Sequence, residues 1–318
     1  MPELLRPCPW LLAMGVAADL LLGDPVYAAH PVRLMGWTLT RFENALRRVG
    51  FDGYAGGVAL FVALTIVWVG GAILIFLIIN RNFAIAFHAF LVYSLLALRD
   101  LLHHGFEVER AAASDDVEAA RKAISQLVGR DTSKMDAAAC RRAAIESLSE
   151  NLTDGFVSPV FWYAIGGLPG LILFKVVSTM DSMVGYKTPR YLHFGWCGAR
   201  ADDVMNWMPA RLTYLLIGFV ALFIRGCSAQ KAFRIGWKQH AIVPGPNSGW
   251  SEAATAGAIE RKLIGPIWAG GVLVTDLWLG DPSDPPAGEA GDFPRAAHLN
   301  LATGILASVI AIAALIWL

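Results

Sequence analysis

Apolar residues along this chain gather into long charge-free blocks separated by polar stretches, with no strand-like alternation and no solenoid period. The block 56–79 runs 24 residues without a charge, and 299–318 runs another 20. As helices these reach roughly 36 and 30 Å, against a bilayer hydrocarbon core of about 30 Å. The block 83–98 follows the first after only Asn80-Arg81-Asn82, which predicts the return arm of a helical hairpin.

Three other apolar segments are ambiguous. Segment 10–22 is short and contains Asp19, a charge that costs roughly 2.5–3.5 kcal/mol at mid-membrane. No A-x-A-like cleavage site follows it cleanly, so it reads as retained and not as a signal peptide. Segment 212–224 has only 13 residues. Segment 156–177 is long enough to cross, but Gly166-Gly167-Leu168-Pro169-Gly170 breaks its middle. Broken helices persist at membrane depth only when packed in protein or lining a cavity. The polar stretches 99–155, 178–211 and 225–298 carry nearly all the chemistry-bearing residues. Reading 156–177 and 212–224 as re-entrant or interfacial keeps those three stretches, together with 23–55, on one side.

The pattern therefore predicts an all-α, polytopic integral membrane protein. It reads as one membrane-embedded domain over 1–318, with a helical polar insertion at about 99–155 and a polar loop-and-helix region at about 225–298. In the insertion, Ser114-Asp115-Asp116 predicts the cap of a helix running to Gly129. Ser133-Lys134-Met135-Asp136 predicts a capping box opening a second helix toward Asn151.

Composition sharpens this picture. The 318 residues are 56% hydrophobic and 16% charged, against a soluble norm of about 25% charged. Lipid must solvate much of such a surface. Lys plus Arg equals Asp plus Glu at 26 each, so the basic footprint of a nucleic-acid binder is missing. Cys8, Cys140, Cys197 and Cys227 are scattered without a C-x-x-C pair, which argues against a disulfide framework or structural zinc.

Six constellations carry candidate chemistry. Glu146, Glu150 and Asp154 recur at i, i+4 and i+8 beside Asn151, so three like charges share one helix face if the helix persists, and they call for a compensating cation. A solvated acidic face served by Arg141 and Arg142 is the plainer reading. Arg200-Ala201-Asp202-Asp203-Val204-Met205-Asn206 offers oxygen ligands suited to Mg²⁺, or simply helix capping. Leu127-Val128-Gly129-Arg130-Asp131-Thr132 puts free helix N–H groups beside Arg130, a phosphate cradle or an ordinary turn. Lys175, Asp181 and Lys187 bracket a membrane boundary, where lysines also snorkel routinely. Asn247-Ser248-Gly249 leads into a helix rich in Ala and Gly, a signature of close helix packing or of a bulky ligand at the backbone. Gly23-Asp24-Pro25 with His30-Pro31-Val32 forms a less specific turn. No H-x-x-x-H, G-x-x-x-x-G-K-[ST] or G-x-S-x-G pattern occurs, which removes zinc-protease, P-loop and nucleophile-elbow readings.

In order and wording these motifs resemble the adenosylcobinamide-phosphate synthase family of cobalamin biosynthesis, known as CobD or CbiB. The resemblance rests on Gly23-Asp24-Pro25, His30-Pro31-Val32, Leu127-Val128-Gly129-Arg130-Asp131-Thr132, Asp136, Ile145-Glu146-Ser147-Leu148, Glu150-Asn151, Asp154-Gly155 and Pro159-Val160-Phe161-Trp162. It continues through Lys175, Thr179 to Lys187, Phe194-Gly195, Arg200, Asp202-Asp203, Asn206, Pro209-Ala210-Arg211, Pro246-Asn247-Ser248-Gly249 and Glu252-Ala253. The stretch 276–298 departs from it.

The resemblance implies an enzyme of the bacterial inner (plasma) membrane, with its active site on the cytoplasmic side. It would join adenosylcobyric acid, through a propionate carboxylate, to (R)-1-amino-2-propanol phosphate or a related amino-alcohol phosphate, using ATP and Mg²⁺. Under that reading Glu146, Glu150, Asp202, Asp203 and Asn206 are metal-site candidates. Arg130, Lys175, Lys187, Arg200, Arg211, Asn247 and Ser248 are phosphate- or substrate-binding candidates, and Asp154 or Asp181 takes the amine's proton. Asp24, His30, Asp131 and Asn151 complete the candidate set. Other enzymes of the pathway are candidate partners. Two further readings remain: a Mg²⁺-dependent prenyl or phospho-alcohol transferase built on Asp202-Asp203 and Asn206, and a transporter.

Overall fold

The computed structural model describes residues 2–23, 27, 29–269 and 272–317. Helices dominate it, as the block pattern demands. Helix α1 (Pro9–Leu22) starts on a proline, whose missing N–H costs nothing in a first turn, and stops at Gly23 with φ 71°. The more polar α2 (Pro31–Arg48) also opens on a proline and ends on Arg47 and Arg48. The charge-free block forms α3 (Tyr54–Thr65), a π-helical turn (Ile66–Gly70) and α4 (Gly71–Ile78). The Asn80 side chain accepts the Asn82 N–H at 2.9 Å and caps α5 (Arg81–Ser94), the return arm the sequence predicts.

Then follow α6 (Leu98–Ala113), α7 (Val117–Ile124), α8 (Ala137–Leu152), a π turn (Thr153–Val157) and α9 (Ser158–Val184). The break expected within 166–170 is present: Gly167 sits at φ 61°, ψ −151° inside α9, two residues before Pro169. The rest of the chain gives α10 (Trp196–Met205), α11 (Trp207–Val220), α12 (Ala229–Gln239), α13 (Ser248–Ile259) and α14 (Asp292–Trp317).

Among the described residues, five helical stretches are long and apolar enough to cross a membrane: Glu3–Leu22, Tyr54–Ile78, Arg81–Ala113, Ala137–Val184 and Asp292–Trp317. The protein is thus an all-α, multi-pass membrane protein. Segment 10–22 joins the set, and the 14-residue α11 does not, being roughly 21 Å long.

Three local expectations need correction. Helix α7 stops at Ile124 instead of reaching Gly129, because Ser125 to Leu127 turn out of the helix; its cap is Asp116, which accepts the Ala119 N–H at 2.9 Å. Helix α8 is capped by Asp136, accepting from Ala139 at 2.7 Å, and not by Ser133. The Ser133 N–H instead donates to Asp131 in a turn. Strands are also present: β1 (Leu263–Ile264) pairs antiparallel with β4 (Trp278–Leu279), and β2 (Ile267–Ala269) with β3 (Val272–Thr275). Leu263 faces Leu279, and Ile267 faces Thr275.

The residues group into two compact units, each assembled from separate stretches. Unit 1 holds Met1–Ala97, Ser158–Asn206 and Ser308–Leu318. Here α1 packs on α5 with Gly15 against Val92, and α9 receives α2, α3 and α10. Phe174, Val177 and Met205 form a buried knot walled by Phe61 and Trp162.

Unit 2 holds Leu98–Val157 and Trp207–Ala307. Its centre is α13, whose residues 249–259 are all buried, packed against α8, α11 and α12. Its small residues permit this: the Lys231 carbonyl lies where a Cβ on Gly257 would stand. Arg142 ties α8 to the β region by donating to the carbonyls of Ile264 (3.0 Å) and Ala287 (3.1 Å).

Candidate functional site

Chemistry-bearing side chains collect in one cluster within each unit. In unit 2, α8 positions Glu146 and Glu150 one turn apart, and the π turn that follows carries Asp154. The helix passes from α to π register at Thr153, and Asp154 acts on the same buried carboxyl, Glu252, as Glu146 and Glu150 do. Arg130 reaches Glu146 from the preceding loop in a forked ion pair, 2.7 and 3.3 Å, with the two side chains only 14% and 17% exposed. The buried Arg130 Nε has no hydrogen-bond partner among the described residues. Asn151 spends its amide on the Ser147 carbonyl at 2.9 Å and so stays within its own helix.

Glu252 is the residue that motif reading did not single out as a site. It sits amid the Ala- and Gly-rich α13, 2% exposed. Burial pushes its carboxyl well up, the charges of Glu150, Glu146 and Asp154 push it the same way, and Arg130 opposes them. The signal was available: one acid inside an eleven-residue run that is otherwise small or apolar is costly unless it serves a ligand.

At the start of α11, Arg211 lies over the Trp207 ring at 4.2 Å and the Trp250 ring at 5.0 Å. It donates to the Trp207 carbonyl at 2.6 Å and stands 3.5 Å from Asn247 Oδ1. Its planar group is held by stacking, ready to present its remaining donors. Asn247 is buried beside it at the start of α13, and the Ser248 carbonyl accepts the Ser251 hydroxyl. Asp131 is held below the usual carboxylate range by the Ser133 hydroxyl and N–H, a turn-forming role.

The unit 1 cluster spans α9 and α10. Lys175 and Asp181 lie on α9, and Asp202 and Asp203 on α10. Asp202 Oδ2 accepts the Asn206 amide at 2.9 Å, while Asn206 Oδ1 accepts the Ser158 hydroxyl at 2.5 Å. Asn206 is therefore committed at both ends of its amide and buckles α10 to the start of α9. Burial first, then the charges of Asp181 and Asp203, push the Asp202 carboxyl up to about 7, against the Asn206 amide and Lys175. Arg200 pairs with Asp203 at 2.8 Å on the surface. Lys187 is exposed in the turn after α9, and His30 is buried at the entry to α2 with its ring against Tyr27. Asp24 lies outside the described residues.

Among the described residues no three His, Cys, Asp or Glu side chains converge on a shared point as a ready-made metal shell. Mg²⁺ does not require one, because it keeps several waters and takes one or two carboxylates plus substrate phosphates. The two acidic clusters suit that demand. Each holds a carboxyl group raised first by burial and then by neighbouring acids, a repulsion that a divalent cation would relieve.

The CobD/CbiB protein family model matches residues 12–300. Proteins similar to this chain include a cobalamin biosynthesis protein CobD from Sinorhizobium sp., 41% identical over 86% of this chain and 87% of that protein. The CobD of Pelobacter propionicus is 40% identical over 98% and 96%, and the CbiB of Salmonella typhimurium is 37% identical over 86% of each. No solved structure matches. With the match running through both clusters and nearly the whole length of these relatives, the chain belongs to the CobD/CbiB family.

Proposed function

We propose that this chain is a cobalamin-biosynthesis enzyme. It forms an amide between a propionate carboxylate of adenosylcobyric acid and the amine of (R)-1-amino-2-propanol phosphate or a related amino-alcohol phosphate. The product is adenosylcobinamide phosphate, and the reaction uses ATP and Mg²⁺. The observation that carries the reading is the pairing of anion-binding guanidinium groups with half-buried carboxylates in a family member: Arg130 over Glu146, beside Glu150, Asp154 and the buried Glu252.

Amide formation must remove one oxygen from the carboxylate, and ATP accepts it as phosphate. The amine nitrogen then bonds to the carbonyl carbon and loses a proton. Arg130, Arg211, Arg200 and Lys187 supply positive charge for the phosphates, Lys175 stands beside the unit 1 acids, and Asn247 and Ser248 border the corrinoid at α13. Asp154 or Asp181 takes the amine's proton. Glu150 and Glu146, or Asp202 and Asp203, would hold Mg²⁺, which would supply charge neutralisation for the phosphates. The transferase reading needs Asn206 free as a ligand, and its amide is engaged on both sides. Basic residues Arg41, Arg47, Arg48, Lys187 and Arg190 flank the start of α3 and the end of α9, a bias that by the positive-inside rule supports a cytoplasmic location for that end.

The test is reconstitution with adenosylcobyric acid, aminopropanol phosphate, ATP and Mg²⁺, following amide product and ADP together. Product without nucleotide consumption rejects the ligase chemistry. Glu150→Ala and Asp202→Ala should each abolish turnover in protein that stays folded in detergent, and full activity in both rejects the metal assignment.

A further inference from the structure

Helix α2 is too polar to be a span, yet its outer surface does not suit water either. Pro31, Met35, Leu39 and Glu43 form its buried stripe, on the side of α3 and α9. Its exposed stripe runs through Arg33, Leu34, Trp37, Arg41 and Arg48, with Trp37 59% exposed and the Arg41 guanidinium over its ring at 5.2 Å. No acid shares that stripe. The helix's one carboxylate, Glu43, is buried under Arg47 and Arg190, each at 2.9 Å.

Two close approaches fix the depth of α2 within unit 1. A Cβ on Gly36, in its second turn, would stand 3.1 Å from Met183 Sδ in the last turn of α9. Gly57, at the start of α3, lies against the Phe194 carbonyl just beyond α9. The second turn of α2, beside Trp37, is therefore level with the place where one span begins and another ends. Exposed Tyr54 and Trp196 meet edge-on at that same level, 5.5 Å between centroids. Aromatic rings at span ends sit among lipid headgroups, and a helix combining cations, Trp and Leu on its free face lies in that interface.

We propose that the exposed stripe of α2 binds anionic phospholipid headgroups, with Arg33, Arg41 and Arg48 on the phosphates and Trp37 at the acyl boundary. The partner is a phosphodiester lipid without a compensating ammonium, such as phosphatidylglycerol. Each arginine near a negatively charged leaflet contributes roughly a fivefold preference, the equivalent of about 1 kcal/mol, so three together give on the order of a hundredfold.

The test is thermal unfolding of the full chain in neutral detergent, titrated separately with phosphatidylglycerol, phosphatidylcholine and inorganic phosphate. Phosphatidylglycerol should raise Tm at low mole fraction, phosphatidylcholine and inorganic phosphate should not, and salt should weaken the effect. The triple variant Arg33→Gln, Arg41→Gln, Arg48→Gln should keep its Tm in phosphatidylcholine and respond to phosphatidylglycerol roughly a hundredfold more weakly. Should the triple variant not fold, Arg41→Gln alone should lose roughly fivefold. An unchanged response in the variant overturns the proposal. So does an equal shift from phosphatidylcholine, or a shift reproduced by inorganic phosphate, which would mark a soluble-phosphate site.

Discussion

Arg130→Ala removes the cation that pairs with Glu146 and favours the charged form of Glu252 in unit 2. Losing one partner of a buried ion pair costs about 3–5 kcal/mol, because the other charge remains desolvated. Arg130 and Glu146 keep 14% and 17% exposure, which sets the expectation at the low end, about 3 kcal/mol. For a unit of this size that is a fall in Tm of roughly 6–12 °C. The loss should depend on pH, with a sign set by Glu252. Its folded carboxyl is raised above the ordinary 4.5, so the folded state keeps a proton that the unfolded chain has released. Stability therefore falls as pH rises from the unfolded value toward the folded one. Without Arg130 the folded value climbs further, and the penalty of the substitution grows with pH. Glu252→Gln cancels that pH-dependent part, so Arg130→Ala with Glu252→Gln should be less destabilised than the sum of the single variants. Thermal unfolding in detergent between pH 6 and 9, with chelator present, measures all four proteins. A pH-independent penalty together with strict additivity would refute the reasoning, as would an Arg130→Ala protein within about 0.5 kcal/mol of the parent.

Asp202 should give the same sign in unit 1: the metal-free protein loses stability as pH rises from about 4 through about 7, where its raised carboxyl ionises, and Asp202→Asn should flatten that slope in a pH series of melts. Gly167→Ala should destabilise by about 3 kcal/mol or more, because φ is 61° and the new Cβ would stand 2.2 Å from the Leu5 carbonyl oxygen; an unchanged Tm would mean the kink in α9 is not rigid. Arg142→Met strands the carbonyls of Ile264 and Ala287, at about 1–3 kcal/mol each if they stay buried, and limited proteolysis should then cut within 263–279 well before the parent is cut.

The spans were legible because a run of 24 uncharged residues has one stable solution in lipid. The break at Gly167-x-Pro169 was legible for the same kind of reason, since each residue's own backbone preference decides the outcome. Where two residues compete for one role, sequence did not choose: Asp136 caps α8 because Ser133 is already held in the Asp131 turn. Strands β1 to β4 escaped because two to four residues are too few to display a period of two. In the site, the acids of α8 were visible from their spacing, but the Arg130–Glu146 pair joins residues 16 apart across a loop. The weight on Glu252 comes from burial by α8, α11 and α12, which no local pattern encodes. Asn206 shows the converse: its spacing from Asp202 suggested a ligand, and the Ser158 hydroxyl gives it structural employment instead.

Unit 1 is discontinuous, drawing on residues 1–97, 158–206 and 308–317. During synthesis α1 to α5 therefore emerge long before α9, the helix of the unit's centre, has been made. Some 60 residues destined for another unit intervene. An insertase or the lipid itself must shelter those early helices meanwhile, and a ribosome stalled between 100 and 157 would leave them without their centre. Maturation of this protein is thus paced by translation, and slowing elongation over that interval should increase its degradation more than slowing it after residue 206.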